Sequence, residues 1–324
     1  MKGRILRSVA LALATVLTAG AFAATASAEP KLAADGSVNW GVYASWRNYI
    51  LNGGGPMQAG TITTSGQATQ EDDGTFSFPA RRGYVDPENG ELWLTLAGGV
   101  RFEKPAHGVD MRLSNLEAQI VPGDPDQSAI FARVRSVERT GPDSAGELKD
   151  YGRIRLVRLD PGEVTPQLAP PAVEWLAVPS ALTEAAVPAF GGGYDAGTEF
   201  DLATIAAEAG AAPVKLRVKP RPRARVKGRT ATVAKVSCNL GPCTILAPKR
   251  AQLRVGAKKF PVKVKASKRV DAGKPGQVKV ALARRAAKKL AGRQGKVRFA
   301  LEVDGPGTLG ATGTVKTILK GGRR

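Results

Sequence analysis

Between Thr75 and Asp160 the chain alternates apolar and polar residues, and clusters of turn-forming residues cut the alternation into short runs. "TFSFPA", "ELWLTLAGGVRFE", "VDMRLSNLEAQIV", "AIFARVRSVE" and "GRIRLVRLD" carry apolar residues at a period of two, or in Val, Phe and Ile clusters. A period of two sets one face of a strand against a core and the other in water. "EDDG", "DPENG", "PGDPDQ", "TGPDSAG" and "DPGE" supply the turns. Antiparallel sheets with one buried face are the predicted outcome. The C-terminal third reads likewise, with "TATVAKVSC", "KKFPVKVKAS", "QVKVALA", "KVRFALEVD" and "GTVKTILK" as strands and "ARRAAKKLAG" as a helical turn. The predicted fold class is therefore mainly β.

Charge divides this β chain in two. From Glu29 to Val214 there are 14 Lys and Arg against 25 Asp and Glu, a net of −11; from Lys215 onward there are 31 against 3, a net of +28. A break this sharp predicts a domain boundary. At the break, "VKLRVKPRPRARVKGRT" alternates Arg and Pro, which neither continues a helix nor joins a central strand. The predicted organisation is an antiparallel β-rich domain with one or two short helices over 36–210, an extended Arg/Pro linker over 211–229, and a small basic β-sandwich-like domain over 230–320. A basic surface of this strength attracts polyanions. Only Phe260 and Phe299 are available there to stack on bases, which disfavours nucleic acid and favours an anionic cell-wall polymer or a membrane surface.

Residues 1–28 read as a cleaved signal peptide. Lys2, Arg4 and Arg7 precede an apolar run, and "ASA" before Glu29 is a small-residue cleavage site. The expected location is secreted or associated with the cell envelope. In an exported chain Cys238 and Cys243, five residues apart in "SCNLGPCT", predict a short-loop disulfide.

Two segments carry helix signals. "NWGVYASWRNYIL" follows possible caps at Ser37 and Asn39 and stops at "NGGG". Helical spacing would put Val42, Trp46 and Tyr49 on one stripe and Trp40, Tyr43, Arg47 and Ile50 on the next. "PSALTEAAVPAF" starts at Ser180, a possible cap, and ends in "GGG". Tyr84 and Tyr194, beside turn signals, read as structural. Catalytic constellations are missing: there is a single histidine, His107, with no GxSxG elbow, no HExxH, no P-loop and no dinucleotide fingerprint. The sequence reads as a non-enzyme.

An exported sheet domain with clustered Trp and Tyr and one His suits binding of ferric haem, because a phenolate oxygen is a hard ligand for ferric iron and haem ligation by Tyr is a known type. Imidazole hydrogen bonding orients such a ligand, and indole rings wall a porphyrin face. Three blocks give this reading a family. "SVNWGVYASWRNYILNGGG", "GTFSFPARRGYVDPENGELWLTLAGGVRFEKPAHGVDMRLSN" and "VPSALTEAAVPAFGGGYDAGTEFD" resemble, in order, the HtaA domain of actinobacterial haem-uptake proteins over about residues 36–206. The resemblance implies a β-rich haem-binding fold in which Tyr49 ligates the iron of haem b and His107 supports it, with Trp46, Trp40 and Tyr43 around the site. Two positions depart from the pattern. His107 follows Phe102 by five residues where the family has about three, and Tyr43 stands where a Lys is usual, which leaves Tyr43 as the alternative ligand. The implied partners are haem and the donor and acceptor proteins of an uptake system. The competing expectation is a non-catalytic structural or adhesive envelope protein.

Overall fold

The alternating segments form strands, and the strands of the acidic half close on themselves. The computed structural model describes residues 29–138 and 146–322; the expected signal peptide lies outside the described residues. Lys31–Trp40 pairs with Phe76–Val85 on one side and Glu199–Pro213 on the other. From Glu199–Pro213 the ladder runs through Ala172–Leu182, Glu147–Leu159, Ala129–Glu138 and Val109–Ile120. It then returns through Leu92–Leu96 to Phe76–Val85. Every pairing is antiparallel, so the expected one-faced sheet is closed into a barrel that has no free edge along this path. Strand Gly99–Lys104 branches off Val109–Ile120 and carries Thr61–Ser65 on its outer edge.

The barrel encloses one apolar core that includes Val38, Trp40, Phe76, Phe78, Phe102 and Trp175, each essentially without exposed surface. A second core, around Val233, Val236, Leu253, Val278, Val280 and Leu301, fills the basic half inside a ten-stranded sheet. The Cys238–Cys243 disulfide links strands Thr230–Cys238 and Cys243–Leu246 of that sheet. Tyr84 and Trp93, from neighbouring barrel strands, pack into this second core. At the joint the Tyr84 hydroxyl donates to Glu91 Oε1 at 2.7 Å and accepts from the Thr308 N–H at 3.3 Å. Burial pushes this phenol far above its usual range.

Three expectations about local structure differ from what is found. The segment 211–229 is built into the two sheets: 211–213 end the barrel strand Glu199–Pro213, while in the second sheet Leu216–Pro220 pairs with Thr230–Cys238 and Arg223–Arg225 pairs with Gly310–Lys320. Both are edge strands, where a proline's missing N–H faces away from any partner. Ser180 caps no helix. It lies in strand Ala172–Leu182 with its hydroxyl donated to the Asp201 carbonyl at 2.8 Å, and only Glu184–Phe190 turns, as a 3₁₀ helix. Ser37 and Asn39 are likewise in a strand, and the first helix starts later, at Ala44.

Candidate functional site

The first helix, Ala44–Asn52, is held at the barrel mouth by a residue far along the chain. Strand Lys31–Trp40 ends at a sharp redirection where Val42 takes φ 66°, a left-handed conformation that costs a β-branched residue on the order of 1–2 kcal/mol. The buried Val42 side chain and the Asp201 N–H bonded to its carbonyl at 3.1 Å keep it there. Tyr43 occupies the N-cap position without a side-chain cap bond. The cap comes instead from Asp201, on strand Glu199–Pro213: its Oδ1 accepts from the Ala44 N–H at 2.8 Å. The Arg47 guanidinium bonds the same carboxylate and the Gly41 carbonyl. Trp46 and Ile50 face inward and are buried, while Tyr49 stands half-buried at the helix edge.

At the helix C-terminus Gly53 closes the last turn, its N–H donating to the Tyr49 carbonyl at 3.1 Å. Lys104 reaches the same turn. Its Nζ donates to the Ile50 carbonyl at 3.0 Å and the Gln58 carbonyl at 2.5 Å, a favourable place for a cation at a helix C-terminus. Lys104 has no exposed surface, and among the described residues it has no carboxylate partner. Its ammonium sits 5.5 Å from the centroid of the Tyr49 ring.

The Tyr49 hydroxyl is 2.7 Å from His107 Nδ1, and His107 Nε2 is 2.8 Å from Gln58 Oε1. With Nε2–H donating to the Gln58 amide oxygen, Nδ1 carries the lone pair that accepts the tyrosine proton. Strand Gly99–Lys104 delivers His107 through the short turn Pro105–His107. The longer spacing from Phe102 therefore brings His107 to Tyr49, since the turn inserts between strand end and imidazole. Gly54 makes the chain possible: at φ 82° it passes so close that a Cβ would lie 2.1 Å from Gln58 Oε1 and 3.2 Å from His107 Nε2. On the return strand, Asp110 is held well below the usual carboxylate range by hydrogen bonds from Arg101 and Arg112. A depressed folded-state value stabilises the fold above the unfolded carboxylate's range and loses that contribution as pH falls. Asp110→Asn is thus expected to flatten the acid limb of a Tm-against-pH curve below about pH 5, an effect of about 1 kcal/mol because the half-buried carboxylate pairs with two solvent-facing arginines.

Tyr49 and His107 form one wall of a cleft of about 550 Å³, within the range of small-molecule sites. Trp46 floors it, and Phe190 and Tyr194 stand opposite, their rings 5.4 Å and 6.4 Å from the indole. Gly191, Gly192 and Gly193 complete the far wall as bare backbone; the first two adopt φ 70°, which favours glycine, and a Cβ on either would point into open space. The Trp46 indole N–H is buried with no hydrogen-bond partner among the described residues. Glu138, paired with Lys149 at 2.7 Å, is the only carboxylate among the described lining residues, and no Arg or Lys is among them.

Of the sequence-predicted site residues, Tyr49, His107 and Trp46 come together. Trp40 does not: it is a fully buried strand residue whose Nε1 donates to the Asp201 carbonyl at 3.0 Å. The helical stripe that placed it beside the site fails because the helix begins four residues after it. Tyr43 is also off the cleft wall, stacked on Phe200 at 4.8 Å and covered by the edge of Tyr194. Tyr194, read as structural, lines the cleft. Sequence reasoning missed Gln58 and Lys104. For Lys104 a signal existed: Val100, Phe102 and Lys104 fall on alternate positions of one strand and all three face inward.

A family model described as Htaa, for the HtaA family, matches residues 35–206. Among solved structures, the C-terminal domain of HtaA from Corynebacterium glutamicum is 25% identical, with a TM-score of 0.47 over 56% of this chain and 99% of that one. The N-terminal domain of the same protein is 23% identical, with a TM-score of 0.45 over 55% and 99%. The heme binding protein HtaB from Corynebacterium glutamicum is 16% identical, with a TM-score of 0.41 over 56% and 96%. No curated protein matches the chain.

Proposed function

The chain belongs to the HtaA family, and from that premise we propose that it is a non-enzymatic haem-binding protein, exported by its signal peptide to the cell surface or beyond, that captures ferric haem b through Tyr49 and passes it on. The observation that carries this reading is the Tyr49–His107–Gln58 relay on the wall of an aromatic and glycine-lined cleft. The residues fit the cargo. Flat apolar walls suit a porphyrin face, bare glycine backbone admits a ring edge, and the unpaired Trp46 N–H offers a donor inside. With no cation among the described lining residues, the propionates belong at the open rim, in solvent.

The chemistry asked of the protein is to make a tyrosine behave as an anion. Ferric iron supplies the Lewis acidity that favours phenolate over phenol. His107 takes the displaced proton on Nδ1 without moving, because that nitrogen already accepts the hydroxyl hydrogen. The resulting imidazolium donates from Nδ1 to the phenolate oxygen, while Nε2–H keeps its bond to Gln58. Lys104 adds a positive charge beside the ring, its Nζ 5.5 Å from the ring centroid, which favours the phenolate over the phenol. Return of the proton from His107 to the phenolate weakens the single ligand, which suits a protein that hands haem to an acceptor.

The test is a haemin titration of the chain from Glu29, followed by absorbance. Saturation at one haemin per chain with a ferric-tyrosinate spectrum is expected; absence of stoichiometric uptake overturns the reading. His107→Ala is expected to weaken binding by about ten- to a hundredfold while leaving the tyrosinate band in place, the usual scale for a group that orients a metal ligand. Lys104→Met is expected to weaken it on the order of tenfold, with recovery at higher pH, since hydroxide removes the proton that the cation helps to expel.

A further inference from the structure

The basic half carries its own candidate site, independent of the haem reading. Strand register there places like charges side by side. Lys265 stands directly opposite Lys279, and Lys263 opposite Arg250, all four exposed. Like charges directly opposite one another destabilise a sheet, so the arrangement is not explained by folding. Nearby carboxylates do not relieve it: from Lys215 onward the chain has only Asp271, Glu302 and Asp304, and Asp271 is paired with Arg269. Beside these pairs runs a groove of about 840 Å³. Arg229, Arg250, Lys263 and Lys265 edge it, Val262 and Leu282 contribute apolar floor, and no carboxylate lines it.

The geometry points to the chemistry of the occupant. Alternate residues on a strand are about 6.6–6.8 Å apart and neighbouring strands about 4.8 Å, so the cations form a close lattice rather than one pocket for one anion. Such a lattice matches a flexible chain that repeats a single charge. Bases have nothing to stack on: Phe299 is buried and Phe260 half-buried, and they are the only aromatic residues of this half. A membrane has nothing to insert: among the described residues of this half, the one exposed large apolar side chain is Leu246, outside the groove. We propose that the groove edged by Arg229, Arg250, Lys263 and Lys265, extended by Lys279, binds a linear polyanion of repeating phosphates.

The test compares two triple variants of the full mature chain with equal loss of charge. One is Arg250→Gln, Lys263→Gln, Lys265→Gln in the groove. The other is Lys296→Gln, Arg298→Gln, Lys316→Gln on the exposed positions of strands Gln294–Asp304 and Gly310–Lys320. Binding of medium-chain inorganic polyphosphate is measured as a function of salt, with oligo(dT) and phosphatidylglycerol vesicles as competitors. The groove variant is expected to lose at least about tenfold in affinity and about two units of the salt slope, while the other loses less than about threefold. Equal losses in the two variants overturn the site in favour of diffuse charge. Tighter binding of oligo(dT) or vesicles, lost on the same substitutions, overturns the choice of occupant. Haemin uptake is expected to be unchanged in both variants, so failure here leaves the haem reading untouched, and the converse.

Discussion

Replacing Tyr49 by phenylalanine is expected to abolish stoichiometric haemin uptake, with a loss of affinity well beyond the hundredfold upper range for an orienting group. The substitution removes one oxygen and keeps the ring, which packs against Trp46 at 5.6 Å, so the helix and cleft are retained. An unchanged melting temperature together with a lost tyrosinate band assigns the oxygen to iron. Tyr43→Phe and Tyr194→Phe are the informative comparators. Tyr43 is stacked on Phe200 off the cleft wall, and its hydroxyl is expected to matter by less than about threefold. Tyr194 lines the cleft opposite Tyr49, and burial raises its phenol above the ordinary range, which disfavours the anion. If Tyr194→Phe removes the band and Tyr49→Phe does not, the relay to His107 has another purpose and the ligand assignment falls.

Asp201→Ala is expected to be the most destabilising polar substitution near the site, by about 2–4 kcal/mol. Two losses combine. The Ala44 N–H loses its acceptor, at about 1 kcal/mol for a helix cap. Arg47, whose side chain is only 13% exposed, keeps its charge and loses its counter-ion, a change that costs about 3–5 kcal/mol where a pair is fully buried and less here. A fall in Tm of about 5–15 °C follows for a unit of this size. Asp201→Asn separates the two, because an amide oxygen still accepts from Ala44 while the charge is gone. A Tm unchanged in Asp201→Ala would show that the helix start is held by the Trp46 and Ile50 packing alone.

The strands were legible because alternation is a local signal and survives in any topology. Closure of the barrel was not, because nothing in "VDMRLSNLEAQIV" says that one strand will pair with three others. The helix cap was misplaced by about four to six residues, from Ser37 or Asn39 to Tyr43, for a related reason. Ser37 and Asn39 have good caps chemically, yet the ladder with Phe76–Val85 claims their backbone, and the working cap lies 157 residues away. At the site, Tyr49 and His107 were legible only through the resemblance, since a lone Tyr and a lone His 58 positions apart carry no mutual signal. Gln58 was beyond reach, because only the fold of the glycine turn brings its amide to the imidazole. Lys104 was within reach: a lysine in phase with Val100 and Phe102 had to be either a strand end in water or a buried cation with a purpose.

The distant cap has a consequence for the order in which the molecule becomes competent. A nine-residue helix does not persist alone in water. Its first turn is secured by a strand that leaves the ribosome after every other strand of the barrel, and that strand pairs with the first one made. The barrel's ends therefore meet last, and the tyrosine-bearing turn settles only when they do. A nascent chain in which residues 199–213 are not yet made holds Tyr49 on an unformed helix and has no cleft to offer. Completion of the cleft is in this way tied by the topology itself to the last strand of the barrel.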